Sequence, residues 1–231
     1  MNITTIITVF WCNIKIWINN LIGNKFDILP YKILLNLTNN CNSKCGFCDI
    51  WKVEDFKNEM TLDDIIKLFD GMGSSLVWLA LSGGEVTLVK YIDSMITEAR
   101  NRCKNLKIIS FTTNALLPKK VIRVAEKIRE NGFDMIVTIS LDGDKEIHDR
   151  VRGVPGNYEK CIELYADLKA MGVNVNYGIT VNSENNDFIL NEYHKMRHSI
   201  KAVTFVHDGG IYLKTNETDT NLMLDSMRHI I

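Results

Sequence analysis

Three cysteines stand within one short loop of the chain. The run CNSKCGFC holds Cys41, Cys45 and Cys48 in a CxxxCxxC spacing. Three thiolates can hold three corners of a cubane iron–sulfur cluster, which leaves the fourth iron open to a small chelating molecule. The rival interpretations are a structural zinc site, which usually takes four protein ligands, and unrelated thiols. No nearby Cys or His completes a zinc set, so the spacing favours the cluster.

The other three cysteines are scattered. Cys103 continues an apolar stripe of a predicted helix, Cys161 lies beside Ile162 on another, and Cys12 belongs to an N-terminal apolar run. Free cysteine behaves as a small hydrophobic side chain in a core. We therefore interpret Cys103 and Cys161 as core thiols and not as ligands.

Further polar motifs contain residue types suited to small-molecule binding. The run SGGEV ends in Glu85-Val86, TTN ends in Asn114, and SLDG spans 140–143. Glycines permit a close backbone approach, and a carboxylate beside them can accept hydrogen bonds from an ammonium group. Each motif taken alone is also an ordinary turn or cap.

The elements that must position these motifs follow a regular pattern after Pro30. Short β-rich runs alternate with longer amphipathic segments, as in repeated βα units. We predict an α/β fold, a partial parallel (β/α)6 TIM-like barrel, in which each motif follows a strand, where such sheets carry their chemistry. The predicted strands are 33–37, 76–81, 106–112, 133–141, 173–181 and 203–206, and the predicted helices are 61–73, 92–102, 118–132, 158–171, one near Ile189, Tyr193 and Met196, and 222–231.

The N-terminal segment is apolar and has a helical period. Large apolar residues recur at steps of four and three, which predicts one hydrophobic or amphipathic helix. Three interpretations stay open: a helix that packs against the domain, a membrane-surface helix over residues 3–22, and a span or strand. We assign 1–29 to this helix and a linker, and 30–231 to a catalytic core. The stripe residues are Ile3, Ile7, Phe10, Ile14, Trp17 and Leu21.

The composition of the chain limits the classes of partner that it can bind. Of 231 residues, 46% are hydrophobic, and 27 Lys and Arg stand against 28 Asp and Glu, for a formal net charge of -1. Such a chain has no broad positive field for a phosphate backbone, so we expect no nucleic-acid partner. We expect a cytoplasmic protein, with membrane association through residues 3–22 as the alternative.

The cysteine loop, with the aromatic Phe47 just before its third cysteine, resembles the signature of radical S-adenosylmethionine (SAM) enzymes. The resemblance implies that Cys41, Cys45 and Cys48 bind a [4Fe–4S] cluster whose open iron is chelated by the amino and carboxylate groups of SAM. An electron then breaks the sulfonium bond, and the 5′-deoxyadenosyl radical abstracts a hydrogen atom from substrate. The protein's task is to position SAM and substrate.

The remaining motifs are similar to SAM-binding motifs of the same family. The glycines and carboxylate of Gly83-Gly84-Glu85 resemble GGEP, which binds the methionyl amino group, although Val86 stands where proline is usual. By the same resemblance Ser140 and Asp142 face the SAM ribose, with Asn114 nearby.

A later segment narrows the resemblance to one branch. HDRVRG at 148–153 is similar to the HDxxRG segment of the SPASM and Twitch enzymes, which include peptide-modifying maturases. It implies that Arg152 holds the SAM carboxylate, since guanidinium binds carboxylates bidentately. Phe47 and Val181 match positions that meet the adenine. The chain departs from the branch because no cysteine follows Cys161.

The resemblance predicts an enzyme that cleaves SAM and modifies a peptide or small-molecule substrate, with a flavodoxin or ferredoxin as reductant. Two other classes stay open: an activase that installs a radical on a partner enzyme, and a noncatalytic metal-binding module. No residue is assigned as catalytic beyond the ligands.

Overall fold

A six-stranded parallel sheet forms the centre of the molecule. The computed structural model describes residues 2–192 and 199–205. The strands are hydrogen-bonded in chain order, so each connection returns to the adjacent strand. The strands are β1 Lys32–Asn36, β2 Trp78–Ser82, β3 Ile108–Thr113, β4 Asp134–Ser140, β5 Asn174–Val181 and β6 Ile200–Phe205.

Seven α-helices lie in the described part of the chain, and most of them connect successive strands. Two short 3₁₀ turns, Ile50–Lys52 and Val86–Leu88, follow the cysteine loop and the Gly-Gly motif. The helices are α1 Ile3–Leu21, α2 Leu62–Met72, α3 Ile92–Arg102, α4 Pro118–Glu130, α5 Lys145–Arg152, α6 Asn157–Ala170 and α7 Asn186–Glu192.

Local sequence signals set several helix ends. Thr61 caps α2 through a capping box with Asp64, which satisfies backbone donors that the first turn leaves free. Pro118 opens α4, where its missing N–H costs no hydrogen bond. Asp144 caps α5 by accepting from the Ile147 N–H, and Gly153 ends that helix in the left-handed region at φ 65°.

The hydrophobic core lies between one face of the sheet and the helices. Alternate strand residues such as Leu79, Ile109 and Val137 are fully buried against helix residues such as Phe69 and Ile96. Parallel strands need their connections on a covered face, and these helices supply the cover. The other strand face is more accessible and faces the concave side of the open sheet.

The predicted architecture is confirmed. All six predicted strands and their parallel order are present, with ends that differ from the predicted ones by at most three residues, and α3 has the predicted bounds. The helix near Ile189 ends its described part at Glu192, so Tyr193 and Met196 fall outside the described residues, as does the predicted helix 222–231. The sequence interpretation missed α5, although both of its cap residues are good signals.

Helix α1 is present, but its apolar stripe points away from the domain. Ile3, Phe10 and Trp17 are 72%, 59% and 60% exposed, whereas Thr5 and Asn19 are buried. The helix contacts the domain through its other side, where the Thr5 hydroxyl donates to Asp134 and Asn13 accepts from Tyr31. Within residues 2–192 and 199–205, no helix combines the length and apolar content needed to cross a bilayer.

Candidate active site

The three predicted ligands line one cavity at the carboxyl ends of the strands. The cavity has a volume of about 460 Å³. Cys45 is buried, and Cys41 and Cys48 are partly buried. The lining residues are Leu34, Cys41, Ser43, Cys45, Phe47, Cys48, Ile50, Trp51, Ser82, Gly83, Gly84, Thr112, Thr113, Asn114, Ser140, Arg152, Thr180 and Thr204.

The end of α5 holds the cysteine loop in place. The Lys44 N–H donates to the Arg152 carbonyl at 3.1 Å, and the Gly46 N–H donates to the Val151 carbonyl at 3.0 Å. The Ser43 hydroxyl also donates to the Arg152 carbonyl, at 3.1 Å. The last carbonyls of a helix lack partners within the helix, so the loop and the helix end satisfy each other.

The glycine pair approaches the beginning of the same loop. The Gly84 N–H donates to the Thr38 carbonyl at 2.6 Å, and the Glu85 N–H donates to the Asn40 carbonyl at 2.9 Å. A Cβ on Gly83, whose φ is 129°, would lie 2.4 Å from the Thr38 carbonyl oxygen. A Cβ on Gly84 would lie 2.2 Å from the Asn40 carbonyl oxygen. Both positions therefore require glycine so that the loop can pack on the end of β2.

Glu85 connects the ends of two neighbouring strands. Its buried carboxylate accepts hydrogen bonds from the Thr113 hydroxyl at 2.9 Å, the Asn114 N–H at 2.8 Å and the Thr87 hydroxyl at 2.7 Å. Burial raises the pKa of Glu85, and these hydrogen bonds oppose the increase. The carboxylate is thus held by protein donors and is not among the groups that line the cavity.

Arg152 is a buried cation at the cavity wall. Its Nε donates to Asp142 Oδ2 at 2.5 Å, and its Nη1 lies 3.6 Å from the Cys45 sulfur. The guanidinium also lies 5.4 Å from the centroid of the Phe47 ring. Burial opposes the charge, but Asp142 and Cys45 more than offset it, so the pKa of Arg152 is raised. The fully buried Asp142 also accepts from the Thr180 N–H at 2.8 Å.

The thiols have surroundings that suit an anionic cluster. Burial raises the pKa of Cys41 to about 11 and also raises the pKa of Cys48, so both thiols stay protonated at neutral pH until a metal displaces the proton. Donors stand beside the sulfurs: the Asn114 amide lies 3.8 Å from Cys41, and Arg152 Nη1 lies 3.6 Å from Cys45. Hydrogen bonds to the sulfurs are among the features that tune such clusters.

The three thiols that line one cavity suit the binding of a cubane cluster. In the described part of the chain, no three His, Cys, Asp or Glu side chains converge as ligands of one metal ion. A cubane binds each thiolate at a different iron, so its ligands need only surround a common space. The shared cavity provides that space, together with room for a small molecule.

Comparison with protein families decides the assignment. The model of the radical SAM superfamily matches residues 35–204 of the chain. The chain belongs to the radical SAM superfamily. Members of this superfamily use a [4Fe–4S] cluster and SAM, which confirms the two predicted cofactors.

Curated radical SAM relatives match a large part of the chain. The chain is 28% identical over 155 residues to an Fe-coproporphyrin III synthase from Methanosarcina barkeri, across 66% of this chain and 37% of that protein. It is 25% identical over 166 residues to the sporulation killing factor maturation protein SkfB of Bacillus subtilis, across 71% of this chain and 39% of that protein. The chain thus spans well under half the length of these relatives.

Solved radical SAM structures share the fold. Streptococcus suis SuiB bound to S-adenosylmethionine superposes with a TM-score of 0.65 at 18% identity, over 87% of this chain and 47% of SuiB. SuiB bound to its precursor peptide SuiA gives a TM-score of 0.64 at 17% identity, over 94% of this chain and 49% of SuiB. These values confirm the partial barrel. The peptide-maturation protein SkfB fits the predicted resemblance to the SPASM and Twitch branch.

The structure gathers most of the predicted SAM-binding residues at the radical SAM cavity. Besides the three cysteines, it is lined by Phe47, Gly83, Gly84, Asn114, Ser140 and Arg152. Glu85, Asp142 and Val181 are buried and do not line it. Asp142 binds Arg152 and Glu85 binds the end of β3, so their contacts with SAM, like that of Val181, stay predictions.

Five lining residues outside the predicted motifs were missed by the sequence interpretation: Leu34, Ile50, Trp51, Thr180 and Thr204. Thr180 and Thr204 lie near the ends of β5 and β6, and Trp51 follows the cysteine loop and donates to the Cys45 carbonyl at 3.2 Å. The period of two along a strand was the signal for the threonines. Thr180 stands between the buried Ile179 and Val181, so it had to face the opposite side of the sheet.

Proposed function

We propose that the chain is an enzyme that reductively cleaves SAM and uses the resulting 5′-deoxyadenosyl radical to abstract a hydrogen atom from a peptide or small molecule. One observation carries the proposal: three cysteine thiols, a Gly-Gly turn and the polar ends of several strands line the same cavity. In parallel barrels that edge of the sheet is where catalysis takes place.

The cluster, when bound, supplies the electron that breaks the sulfonium bond of SAM. Cys41, Cys45 and Cys48 would hold it, and Arg152 would place positive charge beside the Cys45 sulfur. Hydroxyls of Thr112, Ser140, Thr180 and Thr204 offer hydrogen bonds to the polar groups of SAM or substrate.

The apolar part of the cavity wall would limit the access of water. Leu34, Phe47, Ile50 and Trp51 lie on this wall, around the thiols. Such a wall also keeps out stray hydrogen-atom donors, which would divert a reactive radical from the substrate.

We assign this activity to residues 30–231 and its electron supply to a small reductant protein such as a flavodoxin or ferredoxin. A peptide substrate is supported by SuiB, which has been solved with its precursor peptide SuiA. The Fe-coproporphyrin III synthase supports a small molecule. Both classes stay within the proposal.

The test is anaerobic incubation of the reconstituted chain with SAM and dithionite, followed by mass-spectrometric measurement of 5′-deoxyadenosine. The wild-type chain should form it and the Cys45→Ala variant should not. Cys103→Ala is the matched control, because that buried thiol lies outside the cavity, and this variant should remain active. A wild-type chain with a full cluster but no 5′-deoxyadenosine would refute the proposal.

A further inference from the structure

A broad apolar surface is exposed at the N-terminus. Twelve of the fifteen exposed large apolar side chains in the described residues lie between Ile3 and Leu29. We call these twelve the basal apolar surface. They are Ile3, Ile6, Ile7, Phe10, Trp11, Trp17, Ile18, Leu21, Ile22, Phe26, Ile28 and Leu29.

Hydrogen bonds from the polar side of α1 fix this orientation. The Thr5 hydroxyl donates to Asp134 Oδ2 at 2.5 Å, and the Tyr31 hydroxyl donates to Asn13 Oδ1 at 3.0 Å. Asn19 exchanges two hydrogen bonds with the Phe26 backbone, which ties the following turn to the helix. The helix is therefore bound to the domain through these hydrogen bonds and presents its large apolar side chains outward.

An outward apolar side of this size is unfavourable in water, since monomeric proteins rarely expose large contiguous apolar patches. The usual amphipathic helix turns its apolar side to the core. Because α1 has the reversed orientation, we expect another molecule to cover the basal apolar surface.

The charges beside the surface indicate an anionic occupant. Lys15 and Lys25 lie within the segment, and Lys104 and Lys107 lie in or beside the loop that precedes β3. Lys15 and Lys107, together with Asp27, line a common groove beside α1. None of these four forms an ion pair with another described residue. Asp27 is the one acidic residue among the first 29.

Exposed Trp and Phe side chains flanked by unpaired lysines suit the boundary between lipid headgroups and acyl chains. We propose that α1 lies in the plane of an anionic membrane surface, with the basal apolar surface inserted among the lipids. This inference is independent of the proposed SAM chemistry.

The position of α1 gives the inference a functional consequence. The helix contacts Tyr31 and Asp134, at the amino ends of β1 and β4. The cavity with the cysteines lies at the opposite, carboxyl ends of the strands. A membrane on α1 would thus leave the mouth of the cavity open on the far side.

The test is co-sedimentation of the full chain with vesicles of phosphatidylcholine alone or mixed with phosphatidylglycerol. The wild-type chain should bind the mixed vesicles more strongly, and added salt should weaken binding. Phe10→Asp/Trp17→Asp should lower the partition coefficient by about tenfold or more, since it places two charges on the inserted face. Phe56→Asp/Ile162→Asp is the matched control, with exposed positions outside the surface, and should bind like wild type.

Circular dichroism of each variant checks that the fold persists. Equal binding of the two double variants would overturn the proposal, as would a wild-type chain that stays in the supernatant with both vesicle types. Lipid-free self-association that Phe10→Asp/Trp17→Asp abolishes, without vesicle binding, would assign the surface to a second copy of the chain instead.

Discussion

At the scale of single residues, Arg152 connects three parts of the site. Its side chain binds Asp142 and approaches the Cys45 sulfur, while its carbonyl accepts hydrogen bonds from the cysteine loop. Removing only one partner of such a buried ion pair strongly destabilises the fold, because the other charge is left buried without compensation. The resemblance to the HDxxRG motif indicated Arg152 as a site residue, but it did not indicate that Asp142 is its partner.

The first prediction concerns this pair. Asp142→Asn should lower the free energy of unfolding by about 3–5 kcal/mol, and Arg152→Gln/Asp142→Asn should recover part of the loss. Anaerobic urea unfolding of the full chain gives these values. Asp49→Asn, which breaks a partly exposed pair with Lys52, is the control and should change little. Equal losses for Asp142 and Asp49 would contradict the assignment.

His148 gives a prediction of pH dependence. Its Nδ1 accepts from the Asp142 N–H at 3.1 Å, and burial, followed by the charge of Arg152, lowers its pKa to about 4. In the unfolded chain a histidine has a pKa of about 6.5. As the pH falls below this value, the unfolded chain binds a proton before the folded chain does. The stability from the neutral imidazole is thus complete above pH of about 6.5 and is lost as the pH falls toward 4.

The expected size is a loss of about 2 kcal/mol between pH 7 and pH 5, measured as the free energy of unfolding. His148→Asn keeps an acceptor near the Nδ1 position and removes the titration, so its profile should be flatter than that of wild type by this amount. Parallel profiles would show that His148 does not titrate as described.

At the scale of elements, the Gly-Gly turn sets the position of the cysteine loop. Gly84→Ala should reduce cluster incorporation on reconstitution, because the added methyl group overlaps the Asn40 carbonyl and forces the loop to move. Gly71→Ala is the control, since a Cβ there meets nothing within 4 Å in α2 and alanine favours a helix. Visible absorbance per chain measures the outcome. Equal incorporation in both variants would contradict this role.

The elements also show what the sequence can predict. Strands β1 to β6 follow from apolar runs and turn residues, and α2 from its Thr61 cap, because these signals are local. Helix α5 was overlooked since its segment was interpreted as a motif, although Asp144 and Gly153 marked both ends. The outward side of α1 depends on distant hydrogen bonds to Asp134, which no local pattern encodes.

The same distinction holds within the site. Spacing identified Cys41, Cys45 and Cys48, since a loop of eight residues brings its own thiols together. The hydrogen-bond partner of Glu85 depends on the register between neighbouring strands, and the ion-pair partner of Asp142 depends on the position of α5. Such choices depend on the three-dimensional packing, whereas the predicted contacts of these two residues with SAM came from the resemblance to family motifs.

At the scale of the whole molecule, the six cysteines divide between one cavity and three separate places. Cys12 lies in α1, Cys103 ends α3, and Cys161 lies in α6 with its thiol 3.5 Å from the Ser140 carbonyl. Cys161 is fully buried in the hydrophobic core and does not line the cavity, and burial raises its pKa to about 12. A second cubane would need further converging ligands.

Iron and sulfide content after anaerobic reconstitution therefore tests the central claim, that one three-cysteine cluster site serves this chain. The wild-type chain should saturate at about four iron and four sulfide per chain, and the triple replacement of Cys41, Cys45 and Cys48 by alanine should bind none. Saturation at about eight iron per chain, or cluster signals that survive the triple replacement, would contradict the claim of a single cluster site.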